Sequence, residues 1–261
     1  METTASSRRG VSGKALKYFA AVFMVIDSLY LRMNLPSVMH LVTRFVAPLF
    51  AYLMVDGFFY THNRRKYAGR LWLAAALMQA GNQLSYLLFG ERGGISDNIF
   101  LTLALGFSMI WLMDTAKKRT GGKKFMLHAA AVGILIAGLA LSFVPVPLAA
   151  NCYILIEGGL TVLPLILIAY LFHGRRGMVA LLYTAYCLLI GVVLYGFPAS
   201  LASGGFDMFC VNSDWLGCLA VPFFFLYNGE GGRRRRFDKK FFYVFYPAHL
   251  WIITLALYSL R

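Results

Sequence analysis

Residues Phe125-Met-Leu-His128-Ala-Ala-Ala-Val-Gly-Ile-Leu-Ile-Ala-Gly-Leu-Ala-Leu-Ser-Phe143 contain no Asp, Glu, Lys or Arg. About 20 apolar residues in a helix cross the roughly 30 Å hydrocarbon layer of a bilayer. The stretch follows Lys117, Lys118, Arg119, Lys123 and Lys124. An apolar run with a basic flank reads as a transmembrane helix whose flank lies in the cytoplasm. Outward from it, comparable runs occupy about 15–33, 37–60, 68–89, 99–115, 148–172, 178–196, 207–227 and 241–260. The first of these ends without a small-residue cleavage site, so it is expected to stay as a helix. Pro145 and Pro147 mark one turn.

Composition agrees with this reading. The 261 residues are 59% hydrophobic and 14% charged, with a mean hydropathy of +0.66. Soluble domains run about 45–50% apolar and about 25% charged. A soluble globular enzyme, a disordered chain and a nucleic-acid binder are therefore excluded. The net charge of +14 is explained by position. Basic residues gather in alternate connections: Arg8, Arg9, Lys14 and Lys17; Arg64, Arg65, Lys66 and Arg70; the cluster at 117–124; Arg175 and Arg176; and Arg233, Arg234, Arg235, Arg236, Lys239 and Lys240. Arg32, Arg92 and Arg261 fall on the other side, and Arg44 lies inside a span. The expected fold is all-α: a polytopic membrane bundle of about nine helices with its N-terminus in the cytoplasm. A tail (1–14) precedes one transmembrane domain (15–261). Topology accounts for the charge without a nucleic-acid partner. Cys152, Cys187, Cys210 and Cys218 show no metal-ligand spacing and read as small hydrophobes.

Ionisable groups inside spans cost about 2.5–3.5 kcal/mol each on insertion scales, which makes them candidates for function. Here they are Asp27, Arg44, Asp56, Glu157, Asp214 and His249, joined by the amides Gln79, Asn82, Gln83 and Asn98. Counted at 1.5 Å per residue, Asp27, Arg44, Asn82, Glu157 and Asp214 fall at one level, roughly 10–14 Å below the outer surface. One shared polar chamber would explain that. Interhelical hydrogen bonds and a structural Asp27–Arg44 pair are the plainer alternative. His249 sits near mid-membrane and can exchange a proton near neutral pH. The other histidines, His40, His62, His128 and His173, are placed at or near span ends.

At these residues the sequence resembles the TraX family. The first span reads Ala20-Ala-Val-Phe-Met-Val-Ile-Asp27-Ser28. The second reads Arg44-Phe-Val-Ala-Pro48-Leu-Phe50 and continues to Asp56-Gly57. Thr61-His62-Asn63, Tyr67-Ala-Gly-Arg70, Asn98-Ile-Phe100-Leu-Thr102 and Leu226-Tyr-Asn-Gly229 follow. The chain closes on Phe242-Tyr-Val-Phe-Tyr246-Pro247-Ala-His249-Leu250. The resemblance implies a multi-span acetyltransferase of the bacterial cytoplasmic membrane. Such an enzyme takes acetyl from acetyl-CoA and gives it to an amine, or a hydroxyl, on an extracytoplasmic acceptor. Family members usually carry Asp-His where this chain has Asp27-Ser28. An inactivating substitution, a divergent member that leans on His249, and a loss of activity all stay open.

Thioester-to-amine transfer needs a base, an oxyanion site and an anchor for the CoA phosphates. His249 is the expected base. Asp27 is expected to orient or charge-stabilise, and Arg44 and Ser28 to assist catalysis. Asn82, Asn98 and Glu157 are expected to bind substrate or oxyanion. Arg64, Arg65, Lys66 and Arg70 are the favoured anchor, and Arg233–Arg236 the second choice. The expected partners are acetyl-CoA, the acceptor and membrane lipids, with no metal. The rival reading is a non-enzymatic small-molecule or proton-coupled transporter using the same buried charges.

Overall fold

The computed structural model describes residues 10–33, 35–90, 93–144, 146–149, 152–154, 156–231 and 236–259. Helix α1 (Gly13–Met33) is followed by α2 (Val38–Thr43) and α3 (Val46–Tyr60), which run on through Arg44 and Phe45. The Asn63 side chain caps α4 (Arg64–Phe89) by accepting from the Lys66 amide at 2.9 Å. Asn98 caps α5 (Ile99–Ala116) in the same way, accepting from the Leu101 amide at 3.3 Å. Such side-chain acceptors satisfy amides that a helix start leaves unpaired. Helix α6 (Gly121–Phe143) carries the apolar stretch at 125–143. A short antiparallel hairpin, β1 (Val146–Ala149) with β2 (Cys152–Ile154), leads into α7 (Gly159–Leu171) and α8 (Arg176–Val193). Helix α9 (Ala199–Val211), a 3₁₀ segment (Asp214–Ala220) and α10 (Val221–Leu226) form a broken run, and α11 (Arg236–Ser259) closes the chain.

Among the described residues, five helical stretches are long and apolar enough to cross a membrane: 38–60, 99–116, 121–143, 176–193 and 241–259. A sixth is the pair Gly204–Val211 and Asp214–Leu226, bent by 74°. Large apolar side chains face outward on these helices, including Phe125, Met126 and Ile136 on α6 and Leu181, Leu189 and Val193 on α8. Against water such faces would be a liability; against lipid tails they are in their proper solvent. The protein is an all-α membrane protein.

Four of the nine expected spans look different. Helices α1 and α4 have the length, at 21 and 26 residues. Charges dilute both: Lys14, Lys17, Asp27 and Arg32 in the first, Arg64, Arg65, Lys66 and Arg70 in the second. Segment 148–172 is not one helix. It begins in the hairpin, where Pro147 stands in β1, and only the 13 residues of α7 are helical. Proline lacks the N–H that a helix interior needs. Gly158, at φ +61°, supplies the left-handed turn into α7, a conformation open to glycine without a Cβ penalty. The eighth span is likewise interrupted, between Val211 and Asp214, just after a non-helical Gly205 (φ 68°) in α9. Pro145, Arg8, Arg9, Arg92, Arg233, Arg234, Arg235 and Arg261 lie outside the described residues.

The core is built around α5, which packs on α4, α6 and α7, while α3 packs on α7 and α1 lies along α11. At the basic end, residues 11–13 run beside the segment after α10. The Val11 amide donates to the Leu226 carbonyl at 2.7 Å and the Gly13 amide to the Glu230 carbonyl at 2.9 Å.

Candidate functional site

Helical spacing gives α1 and α11 one polar stripe each. Met24, Asp27, Ser28 and Leu31 recur at i, i+3, i+4 and i+7 on α1; Phe242, Phe245, Tyr246 and His249 do the same on α11. Residues so spaced share a helix face. Both stripes line one cavity of about 550 Å³, together with Arg44, Glu157 and Asp214. There Ser28 Oγ lies 3.1 Å from His249 Nε2. The other ring nitrogen, Nδ1, is 2.9 Å from the Phe245 carbonyl. A carbonyl only accepts, so Nδ1 carries the proton and Nε2 presents its lone pair to the Ser28 hydroxyl. The Phe245 ring stacks on the imidazole at 5.0 Å between centroids, and both Ser28 and His249 are buried.

Arg44 is the cation of the chamber. Its Nη2 donates to Asp27 Oδ1 at 2.5 Å and its Nη1 to Asp214 Oδ1 at 2.6 Å. Its Nε donates to the His40 carbonyl at 3.0 Å. Thr43 Oγ1 donates to Asp27 Oδ1 at 2.6 Å. His40 sits between the two carboxylates, with Nδ1 3.7 Å from Asp27 and Nε2 3.4 Å from Asp214. His40 lies near the start of the span 38–60, as expected, and is also part of the cluster. Its i, i+4 relation to Arg44 was the available signal. Glu157 reaches the same cavity from the turn before α7. Tyr246 Oη donates to its Oε2 at 2.6 Å, and Thr102 Oγ1 donates to its backbone carbonyl at 2.7 Å. Asp97 also lines the chamber and pairs with Arg32 at 3.2 Å.

Asn82 and Asn98 do not reach the cavity. Asn82 Nδ2 donates to the Asp97 carbonyl at 3.1 Å, and Asn98 Nδ2 donates to the Ala75 carbonyl at 3.1 Å in addition to capping α5. Both amides donate to backbone carbonyls, one just ahead of α5 and one within α4, so they hold α4 to the start of α5. Helical depth alone does not reveal which way a side chain faces.

A second cavity, of about 560 Å³, lies toward the basic end and is lined by Lys14, Lys17, Asp56, Tyr67, Arg70 and Tyr227, among others. Tyr227 Oη donates to Asp56 Oδ2 at 2.6 Å. Phe50, Phe100, Leu103 and Phe242 line both cavities. Phe50 and Phe242 meet edge-on at 5.6 Å between centroids, so this shared wall is a closed aromatic neck between the two cavities. His249 lies seven residues beyond Phe242, or roughly 10 Å along α11.

Of the basic residues 64–70, only Arg70 lines this cavity. Arg64 is tied to Asp114 and lies over the Phe58 ring at 4.2 Å from its centroid. Arg65 and Lys66 are exposed and line neither cavity. Lys14 and Lys17, the second and fifth residues of α1, line this cavity with Arg70. Charge counting does not single them out from the other basic clusters.

The family model described as TraX protein matches residues 12–257, nearly the whole chain, and the chain belongs to the TraX family. Comparison with curated proteins and with solved structures finds no match.

Proposed function

We propose that this TraX-family chain is a membrane-embedded acetyltransferase of the bacterial cytoplasmic membrane that moves acetyl from acetyl-CoA to an extracytoplasmic amine or hydroxyl. The supporting observation is the pair of cavities back to back across the neck of Phe50, Phe100, Leu103 and Phe242. The basic cavity, with Lys14, Lys17 and Arg70, suits the phosphates and ribose of CoA and faces the cytoplasm in this reading. The thin pantetheine arm threads the neck and delivers the thioester to the chamber. There His249 Nε2 takes the proton released on transfer. Arg44 is the donor for the carbonyl oxyanion, while the Tyr246 hydroxyl, which donates to Glu157, holds that carboxylate in place. Asp27 and Asp214 hold the Arg44 guanidinium in place. Glu157, with Asp97 beside it, receives the acceptor's ammonium. All five apolar helices and the bent pair then serve as spans, α1 and α4 cross in the shelter of their neighbours, and short α7 with the hairpin before it returns the chain from the end of α6 to the basic start of α8.

The test is acetyl-CoA affinity in purified protein. Arg70→Ala is expected to weaken binding about tenfold or more, the scale of one charge-assisted hydrogen bond. Arg65→Ala is expected to leave it unchanged. Equal losses from both variants would place the phosphates on the exposed turn, and no binding by the unaltered protein would contradict the reading.

One observation favours a second reading. The bent pair at 204–226 is a discontinuous helix, and its break carries Asp214 into the chamber. Broken helices at polar sites are a hallmark of transporters. Substrate flux into proteoliposomes without release of CoA thiol would support transport.

A further inference from the structure

We propose that Ser28 is an acyl-carrying nucleophile, so that acetyl passes through a Ser28 ester on its way from CoA to the acceptor. This rests on the acetyltransferase reading and adds a step to it.

The geometry is that of a nucleophile and its base. Ser28 Oγ is 3.1 Å from His249 Nε2, and the bond from Nδ1 to the Phe245 carbonyl at 2.9 Å fixes Nε2 as the acceptor. The hydroxyl proton therefore points along the path it would take when Oγ attacks. A serine within a helix commonly bonds back to the carbonyl one turn earlier. This hydroxyl instead leaves its own helix for a ring 221 residues away. Burial adds to the argument: Ser28 is 6% exposed, yet it lines the chamber beside His249. The neck supplies the reason for a carrier. Donor and acceptor approach the chamber from opposite ends, and a covalent acetyl lets CoA withdraw before the acceptor enters.

The chemistry balances without a further reagent. Ser28 Oγ attacks the thioester carbonyl while His249 Nε2 takes its proton. The C–S bond breaks and the imidazolium returns that proton to the leaving sulfur, giving CoA thiol and acetyl-Ser28. The acceptor ammonium first gives one proton to the Glu157 carboxylate; the neutral nitrogen then attacks the ester, His249 takes a second proton from it, the C–O bond breaks and that proton passes to Ser28 Oγ. The serine is regenerated and the acetyl rests on the acceptor.

The experiment uses the full chain in nanodiscs with acetyl-CoA and isotopically labelled CoA, first alone and then with ethanolamine as a probe amine. An acyl-enzyme makes label exchange between CoA and acetyl-CoA with no amine present. The unaltered protein is expected to exchange, and peptide mass mapping to find one acetyl on Ser28. Ser28→Ala is expected to fall to background in both assays. Ser28→Cys keeps a nucleophile at the same place and is expected to retain exchange and to hold acetyl as a thioester. His249→Ala is expected to slow exchange by about 10²-fold. Acetylation of ethanolamine without exchange, or with Ser28→Ala as active as the unaltered chain, would overturn the carrier and leave direct transfer standing. Acetyl-CoA bound but never consumed, with or without amine, would overturn the carrier and the acetyltransferase reading together.

Discussion

His249→Ala is expected to leave acetyl-CoA binding intact and to lower acetyl transfer by about 10²-fold or more, the usual contribution of a general base. The two properties are expected to separate because the proposed phosphate site, with Lys14, Lys17 and Arg70, lines the other cavity, across the aromatic neck from the imidazole. Stability should change little by comparison. The ring gives up one hydrogen bond to Ser28 and one to the Phe245 carbonyl, and hydrogen bonds within membranes are worth only about 1 kcal/mol each. Only the neutral imidazole accepts a proton, so turnover by the unaltered protein should fall toward acid pH. His249→Ala should flatten that acid limb. Rates and dissociation constants measured in parallel check both parts. A variant with normal turnover would remove His249 from the chemistry.

Arg44→Met is expected to destabilise the fold by about 3 kcal/mol, the lower end of what breaking a buried ion pair costs. The lower end applies because the Asp214 side chain is half exposed, while Arg44 and Asp27 are 17% and 28% exposed. Removing the guanidinium leaves two carboxylates facing one cavity, with His40 alone between them. A second change, Asp27→Asn, should recover part of the loss, since the two residues share one network and their effects will not add. Thermal unfolding of the single and double variants in one detergent measures this. Additive losses would show that the network is not the unit described.

How far the sequence could be read depended on the kind of signal. The apolar runs at 99–115 and 125–143 correspond to α5 and α6 within a few residues, because lipid demands unbroken helices of that length. The run at 148–172 misled, because a hairpin ahead of a short helix is as apolar as a span; Pro147 was the one clue against it. Depth along each helix grouped Asp27, Arg44, Glu157 and Asp214, which do share a chamber. The same count included Asn82, whose side chain turns to the Asp97 backbone instead. Rotation about a helix axis is set by packing, and packing is not written in residue number. Ser28 shows the same limit. In sequence it is only a departure from the family's usual histidine and a weak donor. Its partner lies 221 residues downstream, and only the pairing of α1 with α11 brings the two together.

A structure of the protein with acetyl-CoA bound tests the central claim most directly. The account predicts phosphates among Lys14, Lys17 and Arg70, the pantetheine arm passing Phe50 and Phe242, and the thioester carbon beside Ser28 and His249. Acetyl-CoA lying wholly outside the neck, with its thioester away from His249, would contradict it.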